Sequence, residues 1–246
     1  MTIIAEGNIA LVTGGTSGIG LALVEQLCAS CMKVFFCARN KEKIRRVEER
    51  LPDAVGIVCD VSDADQVQAM AQRIEQEAGR LDLLVANVGV MENQDFAQAP
   101  LPVEDIKAQI DLNITAPALT VNAMLPLLRA AADAQIVLVG SGYGWSPNGN
   151  GPLYSAGKAA VRSFAKALRY QLASQQIAVL EVVPPMVDTP ATEGKTGEKV
   201  SPEAVASDTL AGIASGKTEV FVGQTKAIPV MLRLAPGTLE KMTLKA

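Results

Sequence analysis

The chain has 246 residues, of which 49% are hydrophobic and 20% charged, and its formal net charge at pH 7 is −4. This length and apolar content suit one packed α/β domain and not a disordered chain. The sequence has no basic run that would follow a phosphate backbone, so we expect no nucleic acid partner. No apolar run reaches the roughly 18 residues of a membrane span, and residues 1–7 resemble no export leader, so we expect a cytoplasmic protein.

The chain's cysteines are all in its first quarter, and it contains no His. Cys28 and Cys31 form a Cys-x-x-Cys pair, whereas Cys37 and Cys59 stand alone. A zinc site needs more ligands than one such pair, so we expect structural thiols and no metal. The absence of His removes the commonest general base, which leaves Tyr, Lys, Asp or Glu for proton transfer.

Short, continuously apolar runs alternate with longer helical segments along the chain. They predict strands at residues 9–13, 33–37, 55–59, 81–86, 135–139, 178–183 and 219–222, and helices at residues 18–29, 41–51, 63–78, 103–131, 154–173 and 202–214. Continuous apolar runs are typical of parallel strands buried on both faces. The sequence therefore predicts an α/β fold, with one Rossmann-like domain over residues 1–246. Its doubly wound parallel sheet has about seven strands and helices on both faces.

The first predicted strand leads directly into a glycine-rich loop and a helix. The loop, residues 13–20, has the sequence TGGTSGIG. Glycines allow the backbone to approach a pyrophosphate, and the free N–H groups of the following helix favour an anion. The loop lacks the Gly-Lys-Ser/Thr ending of a triphosphate site. It therefore predicts a dinucleotide site.

Tyr154 and Lys158 are one helical turn apart on one predicted helix, and Ser141 follows the strand at residues 135–139. A cation near a phenol favours the phenolate, so we expect Lys158 to lower the Tyr154 pKa. Ser141 is placed to donate to a substrate oxygen. A semi-buried Tyr and a surface Lys would be the ordinary alternative, but the dinucleotide loop favours a proton-transfer site.

These motifs, in this order, resemble the short-chain dehydrogenase/reductase family over residues 8–223. The loop is similar to the family's TGxxxGxG, Asp60-Val61 to its adenine-side pair and Asn87-Val88-Gly89 to its Asn-Ala-Gly. The resemblance implies a catalytic tetrad of Asn113, Ser141, Tyr154 and Lys158, with Tyr154 as the general acid/base and Ser141 on the substrate oxygen. Lys158 would hold the nicotinamide ribose, and Asn113 would anchor a relay water from a kinked helix.

The resemblance also assigns the cofactor contacts and implies a homodimer or homotetramer. We expect contacts from Gly14, Thr16, Ser17, Gly18, Ile19, Gly20, Arg39, Asn40, Asp60, Val61, Asn87, Val88, Gly89, Tyr154, Lys158, Pro184, Val187 and Thr189. The predicted second strand ends without the acid that binds both ribose hydroxyls in NAD-selective proteins, and Arg39 can pair with a 2′-phosphate. We therefore expect NADP(H) to be preferred, with NAD(H) possible.

Two departures from the family pattern are visible in the sequence. Val88 replaces the usual Ala, and Pro185 stands where many members have Gly. The double Pro and the sequence Val222-Gly223-Gln224 are similar to a bacterial reductase subgroup encoded in D-alanine–teichoic acid operons. The leading hypothesis is an NAD(P)H-dependent carbonyl reductase or alcohol dehydrogenase. A related epimerase or dehydratase with bound NAD, and a non-catalytic dinucleotide sensor, are the alternatives.

The substrate is expected to lie against the Gly- and Pro-rich loops at residues 142–152 and 184–200. The apolar segment at residues 227–234 follows the last predicted strand. If it converges with Met91, Trp145, Met186 and Met231, it would form an adaptable apolar wall that suits an apolar carbonyl or alcohol. A subunit contact or a core cover is the alternative role of this segment.

Overall fold

The computed structural model describes residues 3–245, so Met1, Thr2 and Ala246, the ends of the predicted domain, lie outside it. Within these residues seven strands form one parallel sheet in the order β3-β2-β1-β4-β5-β6-β7. The strands are β1 (Ile9–Thr13), β2 (Lys33–Ala38), β3 (Ala54–Val58), β4 (Leu83–Ala86), β5 (Ala134–Val139), β6 (Ile177–Val183) and β7 (Glu219–Phe221). This is the single Rossmann-like domain predicted from the sequence.

Helices connect the strands and cover both faces of the sheet. They are α1 (Gly18–Ala29), α2 (Lys41–Arg50), α3 (Ala64–Ala78), α4 (Val103–Ile110), α5 (Ala116–Arg129), α6 (Pro152–Leu172), α7 (Pro202–Ala214), α8 (Ile228–Leu234) and α9 (Pro236–Leu244). A π-helical turn, Asp111–Thr115, joins α4 to α5, and a 3-10 turn, Gly142–Gly144, follows β5.

The core lies on both faces of the sheet because the central strands β1 and β4 are buried at every position. Leu11 of β1 and Leu84 of β4 face α3, α5 and α6, whereas their neighbours Val12 and Val85 face α1 and α7. β1 lies between β2 and β4, so the chain leaves it in one direction for β2 and returns on the other side for β4. The carboxyl ends of β1 and β4 therefore open a crevice, which is where ligands bind in doubly wound sheets.

The predicted continuous helix at residues 103–131 is wrong in its middle. The α-helical ladder is interrupted by Asp111–Thr115, and the N–H of Ala116 donates to the carbonyl of Asp111, five residues back. Pro117 explains the break, because proline has no N–H to donate to the carbonyl of Asn113 four residues before it.

The ends of two predicted strands also differ from the structure. Leu81 is buried but precedes β4, because its N–H donates to the Leu127 carbonyl and not to a strand. Cys59 follows β3, although its N–H still donates to the Ala38 carbonyl. The sequence analysis did not predict α8 or α9.

The helix α9 packs on the loop that follows β5. Ser146 Oγ and Thr243 Oγ1 are 2.7 Å apart and share a hydrogen bond. A Cβ atom at Gly149 would lie 2.3 Å from the Leu244 carbonyl oxygen, so only glycine allows this approach. Met242 and Leu244 of the same helix expose their side chains to solvent. The order of residues 146–149 thus depends on α9.

Asp82 attaches the start of β1 to the rest of the sheet. Its Oδ2 accepts hydrogen bonds from the Ile9 N–H at 2.8 Å and from Arg80 Nε at 3.1 Å. We expect Asp82→Ala to lower the free energy of unfolding by about 2–3 kcal/mol, because a buried N–H then loses a charged acceptor.

Urea denaturation checks this value, with Glu42→Ala as the control. Glu42 forms an exposed ion pair with Arg45, and removing such a pair changes stability by less than about 1 kcal/mol. Equal effects of the two substitutions would contradict the role of Asp82.

Candidate functional site

The glycine loop lies between β1 and α1 at the crevice. The N–H groups of Gly14 and Gly15 donate to the Cys37 carbonyl of β2, which ties the loop to the neighbouring strand. Gly18 has a φ of +53°, and a Cβ atom at Gly20 would lie 2.3 Å from the Gly14 carbonyl oxygen. Larger residues at these positions would force the loop away from the helix.

The first N–H groups of α1 have no partners within the helix, as at any helix start, and point toward this loop. The preceding residue, Ser17, makes no side-chain capping bond. The close backbone approach at Gly20 and the free N–H groups of this helix start are the features that would hold the phosphates of a dinucleotide. The dinucleotide contacts of this loop stay a prediction.

Two other predicted contact segments lie against this loop. Asn87 Nδ2 donates to the Thr13 carbonyl at 3.0 Å, and the N–H groups of Asn87 and Val88 donate to Thr13 Oγ1. A Cβ atom at Gly18 would lie 2.8 Å from the Thr189 methyl carbon, so the segment after β6 reaches the start of α1. The fold thus brings together residues 13–20, 87–89 and 187–189.

The adenine side of the site lies at the ends of β2 and β3. Arg39 Nη1 is 3.9 Å from Asp60 Oδ2, and the Arg39 side chain is 73% exposed. Hydrogen bonds from Ser62, and then the Arg39 charge, lower the pKa of Asp60. Asn40 Oδ1 accepts from the Lys43 N–H and caps α2, so its side chain is already engaged. Val61 is buried.

A groove of about 350 Å³ separates this region from the α4 helix and the π turn. Arg39 and Ser62 line one side, and Glu104, Lys107, Ala108, Asp111 and Leu112 line the other. Two cations, Arg39 and Lys107, therefore border the groove together with two carboxylates, Glu104 and Asp111. The sequence analysis missed Lys107, because no motif links a residue on α4 to the end of β2.

Asn113 lies in the π turn and is fully buried. Its Nδ2 donates to the Val90 carbonyl at 3.0 Å, and its Oδ1 accepts from the Val90 N–H at 3.1 Å. Both ends of the amide thus bind the loop after β4. A Cβ atom at Gly157 would lie 2.6 Å from the Asn113 Cβ, so α6 packs directly on this turn.

Lys158 is buried on α6, and its Nζ donates to the Val139 carbonyl at 2.8 Å. A Cβ atom at Gly89 would lie 2.9 Å from Lys158 Nζ and 3.1 Å from Asn113 Oδ1. Gly89 therefore places its backbone beside both side chains. Burial lowers the pKa of Lys158 to about 8, and the negative charge of Glu181 partly opposes that fall.

Tyr154 lies one helical turn before Lys158, and its hydroxyl is close enough to Ser141 for that side chain to influence the Tyr154 pKa. Ser141 Oγ accepts from the Tyr143 N–H at 3.2 Å. Burial raises the pKa of Tyr154 above its ordinary value, and the nearby Ser141 side chain only partly opposes this. The expectation that Lys158 lowers the Tyr154 pKa is therefore wrong for this structure, in which the ammonium donates to Val139 and lies 5.7 Å from the phenol ring centroid.

Tyr143 is a further aromatic residue at this site that the sequence analysis did not single out. Its ring meets the Tyr154 ring edge to face, with centroids 6.5 Å apart. The preceding residue, Gly142, lies against Ile228 and Thr225, since its Cβ position is 3.2 Å from a carbon atom of each. The start of the apolar segment 227–234 thus reaches the loop beside Ser141.

The predicted loop contacts near the nicotinamide end keep a regular backbone path. The Pro184 carbonyl accepts from the Gly142 N–H, so the double Pro still joins β6 to the 3-10 turn. Val187 is buried and forms a bridge with Val200. The Trp145 ring packs on Phe221, and its Nε1 donates to Glu181. The convergence of Trp145 with Met91, Met186 and Met231 stays a prediction.

Among residues 3–245, no group of three or more His, Cys, Asp or Glu side chains is arranged to hold a metal ion. In the same part of the chain, every helix is too short or too polar to cross a membrane. The four cysteines in it are free thiols.

Comparison with known proteins identifies the family. The family of short chain dehydrogenases matches residues 8–199. An uncharacterized oxidoreductase of Bacillus subtilis (strain 168), DltE, is 33% identical over 219 residues, which is 87% of each chain. An uncharacterized oxidoreductase of Staphylococcus saprophyticus is 29% identical and covers 92% of this chain and 98% of its own.

A solved structure agrees with these sequence matches. A short chain dehydrogenase from Burkholderia cenocepacia J2315, crystallised in complex with NADP, superposes with a TM-score of 0.88 at 27% identity and covers 99% of both chains. Together with the glycine loop and the Ser141, Tyr154 and Lys158 cluster, these matches show that the chain belongs to the short-chain dehydrogenase/reductase family of oxidoreductases.

Proposed function

We propose that this protein transfers a hydride between NADP(H) and the carbonyl or alcohol group of a small apolar substrate, with Tyr154 as the general acid/base. The observation that carries the proposal is the cluster of Ser141, Tyr154, Lys158 and Asn113 at the carboxyl end of the sheet, beside the glycine loop. A dinucleotide held by that loop supplies the hydride.

Tyr154 is the residue placed to move the proton. Because burial raises its pKa, the phenol holds a proton at neutral pH that it can donate to a carbonyl oxygen. Ser141, which lies beside Tyr154, would orient that oxygen by donating a hydrogen bond to it.

Lys158 and Asn113 support this transfer from behind Tyr154. The Lys158 ammonium is fixed by the Val139 carbonyl and has further N–H groups for the ribose of a nicotinamide cofactor. Asn113 uses its amide to hold Val90, and Pro117 leaves its carbonyl without the usual helical donor. That carbonyl is the group we assign to the relay water.

The adenosine end supports NADP(H) as the preferred cofactor. Arg39 is exposed beside the groove, and no acid at the end of β2 would repel a 2′-phosphate. Lys107 borders the same groove and adds a second positive charge. The Burkholderia cenocepacia relative was crystallised with NADP, which agrees with this proposal.

The substrate side supports an apolar molecule. Tyr143 and Ile228 lie at the turn that begins at Ser141, and Met186 lies near Gly197 within the loop at residues 184–200. The loops at residues 142–152 and 184–200 are the proposed substrate loops. Burial of an apolar substrate body among such side chains favours binding.

The proposed homodimer or homotetramer is supported by exposed apolar side chains on the helices after β4. Val103 and Ile110 of α4, and Ile114 of the π turn, all expose more than a third of their surface. Their spacing of seven and four residues suits one helical face, and an exposed apolar face is typical of a protein contact.

The proposed activity is tested by NADPH oxidation at 340 nm with the purified protein and a panel of carbonyl compounds, at about pH 7. We expect higher kcat/KM for bulky apolar ketones and aldehydes than for phosphorylated or polyhydroxylated ones. NADPH binding with no turnover on any compound would favour the sensor alternative, and faster turnover of polar compounds would contradict the apolar substrate.

Tyr154→Phe should keep the fold and the affinity for NADPH but lower kcat by about 10²–10⁴-fold, because the general acid is removed. Tyr170→Phe is the matched control, since Tyr170 lies on the same helix and is 89% exposed. Steady-state kinetics of both variants check this. Near-normal turnover by the Tyr154 variant would remove that residue from its proposed role.

Arg39→Ala should lower kcat/KM for NADPH by roughly 10- to 100-fold and leave the NADH value within about twofold, because one charged bond to a 2′-phosphate is lost. Arg45→Ala removes a similar exposed charge, which pairs within α2, and should change neither value. An equal loss of kcat/KM with both cofactors would show that Arg39 does not bind the 2′-phosphate.

A further inference from the structure

A buried carboxylate lies under the active site, and no step of the proposed reaction uses it. Glu181 is in the middle of β6, between Leu180 and Val182, and its exposed fraction is 0%. Burial of a carboxylate is costly, so such groups are retained where a partner or a function holds them. The contacts of Glu181 show what it holds.

One oxygen of Glu181 binds the loop that carries Ser141. Its Oε1 accepts from Trp145 Nε1 at 3.2 Å, and a Cβ atom at Gly140 would lie 2.7 Å from the same oxygen. Gly140 is the residue before Ser141. The carboxylate therefore contacts the chain just before Ser141 and binds Trp145, which follows Ser141 in the chain. The other oxygen, Oε2, is buried and has no hydrogen-bond partner within residues 3–245.

Trp145 ends the short turn that begins at Ser141. Its N–H donates to the Gly142 carbonyl at 3.0 Å, which closes the 3-10 turn Gly142–Gly144. Its ring is held by the Arg162 guanidinium, 3.5 Å from the ring centroid, and by Phe221, whose ring centroid is 5.0 Å away. The Glu181 bond sets the direction of the indole between these two groups.

The charged groups around Glu181 come from two elements. The helix α6 presents Lys158, Arg162 and Arg169, and β7 presents Glu219. Burial raises the pKa of Glu181 to about 7, a rise that Glu219 increases and that Trp145, Arg162 and Arg169 oppose. The Glu181 charge in turn raises the pKa of Lys158 against the larger effect of burial.

We propose that Glu181 is a positioning residue for the reaction: it anchors Trp145 beneath the Ser141 turn and presents a negative charge to Lys158. The two side chains contact adjacent residues of one segment, since Lys158 Nζ binds the Val139 carbonyl and Glu181 Oε1 lies against Gly140. The inference rests on the proposed function, because Lys158 serves that function as a cation. Between about pH 7 and 8 the ionised carboxylate favours the protonated ammonium. Without that charge, Lys158 loses its proton at a lower pH, and its bonds to a ribose are weakened.

The first test needs no substrate and no cofactor. Trp145 is the single tryptophan of the chain, so its emission reports the ionisation of the carboxylate bonded to it. We expect the wild-type emission to titrate with a midpoint near pH 7, and the midpoint to vanish in Glu181→Gln. Glu219→Gln is the matched control, because Glu219 lies on the next strand and pairs with Arg169, not with Trp145. Its emission should still titrate, with a midpoint below that of the wild type, because the Glu219 charge contributes to the raised pKa of Glu181.

The second test measures the NADPH dissociation constant across roughly pH 6 to 9 in the same proteins. At pH 6 the three proteins should bind equally, because Lys158 is protonated in each. At pH 8.5 Glu181→Gln should bind about 3- to 10-fold more weakly than the wild type, since loss of a facing charge lowers a buried lysine pKa by up to about one unit. Glu219→Gln should follow the wild type.

The outcomes separate this inference from the proposed function. A wild type that binds no NADPH contradicts the proposed function and, with it, the role given to Lys158 here. NADPH binding with parallel pH profiles in the wild type and Glu181→Gln overturns the inference alone. If Glu181→Gln does not fold, the wild-type titration decides: a midpoint near pH 7 supports the inference, and constant emission between roughly pH 5 and 9 overturns it.

Discussion

The direct packing of α6 on the π turn is the constraint on which the site depends. At Gly157 the helix approaches Asn113 so closely that a Cβ atom added to Gly157 would lie 2.6 Å from the Asn113 Cβ. One turn before and one residue after this contact, α6 carries Tyr154 and Lys158, so their distance from the loop after β4 is fixed by it. Gly89 allows the same closeness from the other side, where Lys158 and Asn113 meet its backbone. Rigid contacts of this kind hold reacting groups in place before a ligand arrives.

The sheet and the glycine loop were predictable from the sequence because their signals are local. Continuous apolar runs such as β4 are buried at every position, and Gly20 stands where the helix packs on the loop itself. The π turn carried a signal too, since Pro117 inside a helical pattern removes a backbone donor. The sequence contained no such signal for Lys107 or Glu181, because the roles proposed for them depend on neighbours far away in sequence. The Tyr154 pKa was predicted in the wrong direction because sequence spacing shows proximity to Lys158 but not the burial of the phenol.

The chain has no His, and its groups with pKa values near neutrality include a buried lysine, Lys158, and a buried carboxylate, Glu181. Burial brings the pKa of Lys158 down to about 8 and that of Glu181 up to about 7, so both approach neutrality from opposite sides. Tyr154 lies outside this range and keeps its proton. The interior of α6 and β6 therefore supplies the pH sensitivity near neutrality that an imidazole provides in other enzymes.

The contact between α9 and the loop at residues 146–149 links the order of that loop to local stability. The hydrogen bond of Ser146 with Thr243 and the packing of Gly149 on Leu244 hold that loop from a helix of nine residues whose Met242 and Leu244 face solvent. A short helix with few buried apolar contacts detaches at a small fraction of the global unfolding free energy. We therefore expect fraying of α9 and loosening of residues 146–149 to be one equilibrium, which heat and denaturant shift before the sheet melts.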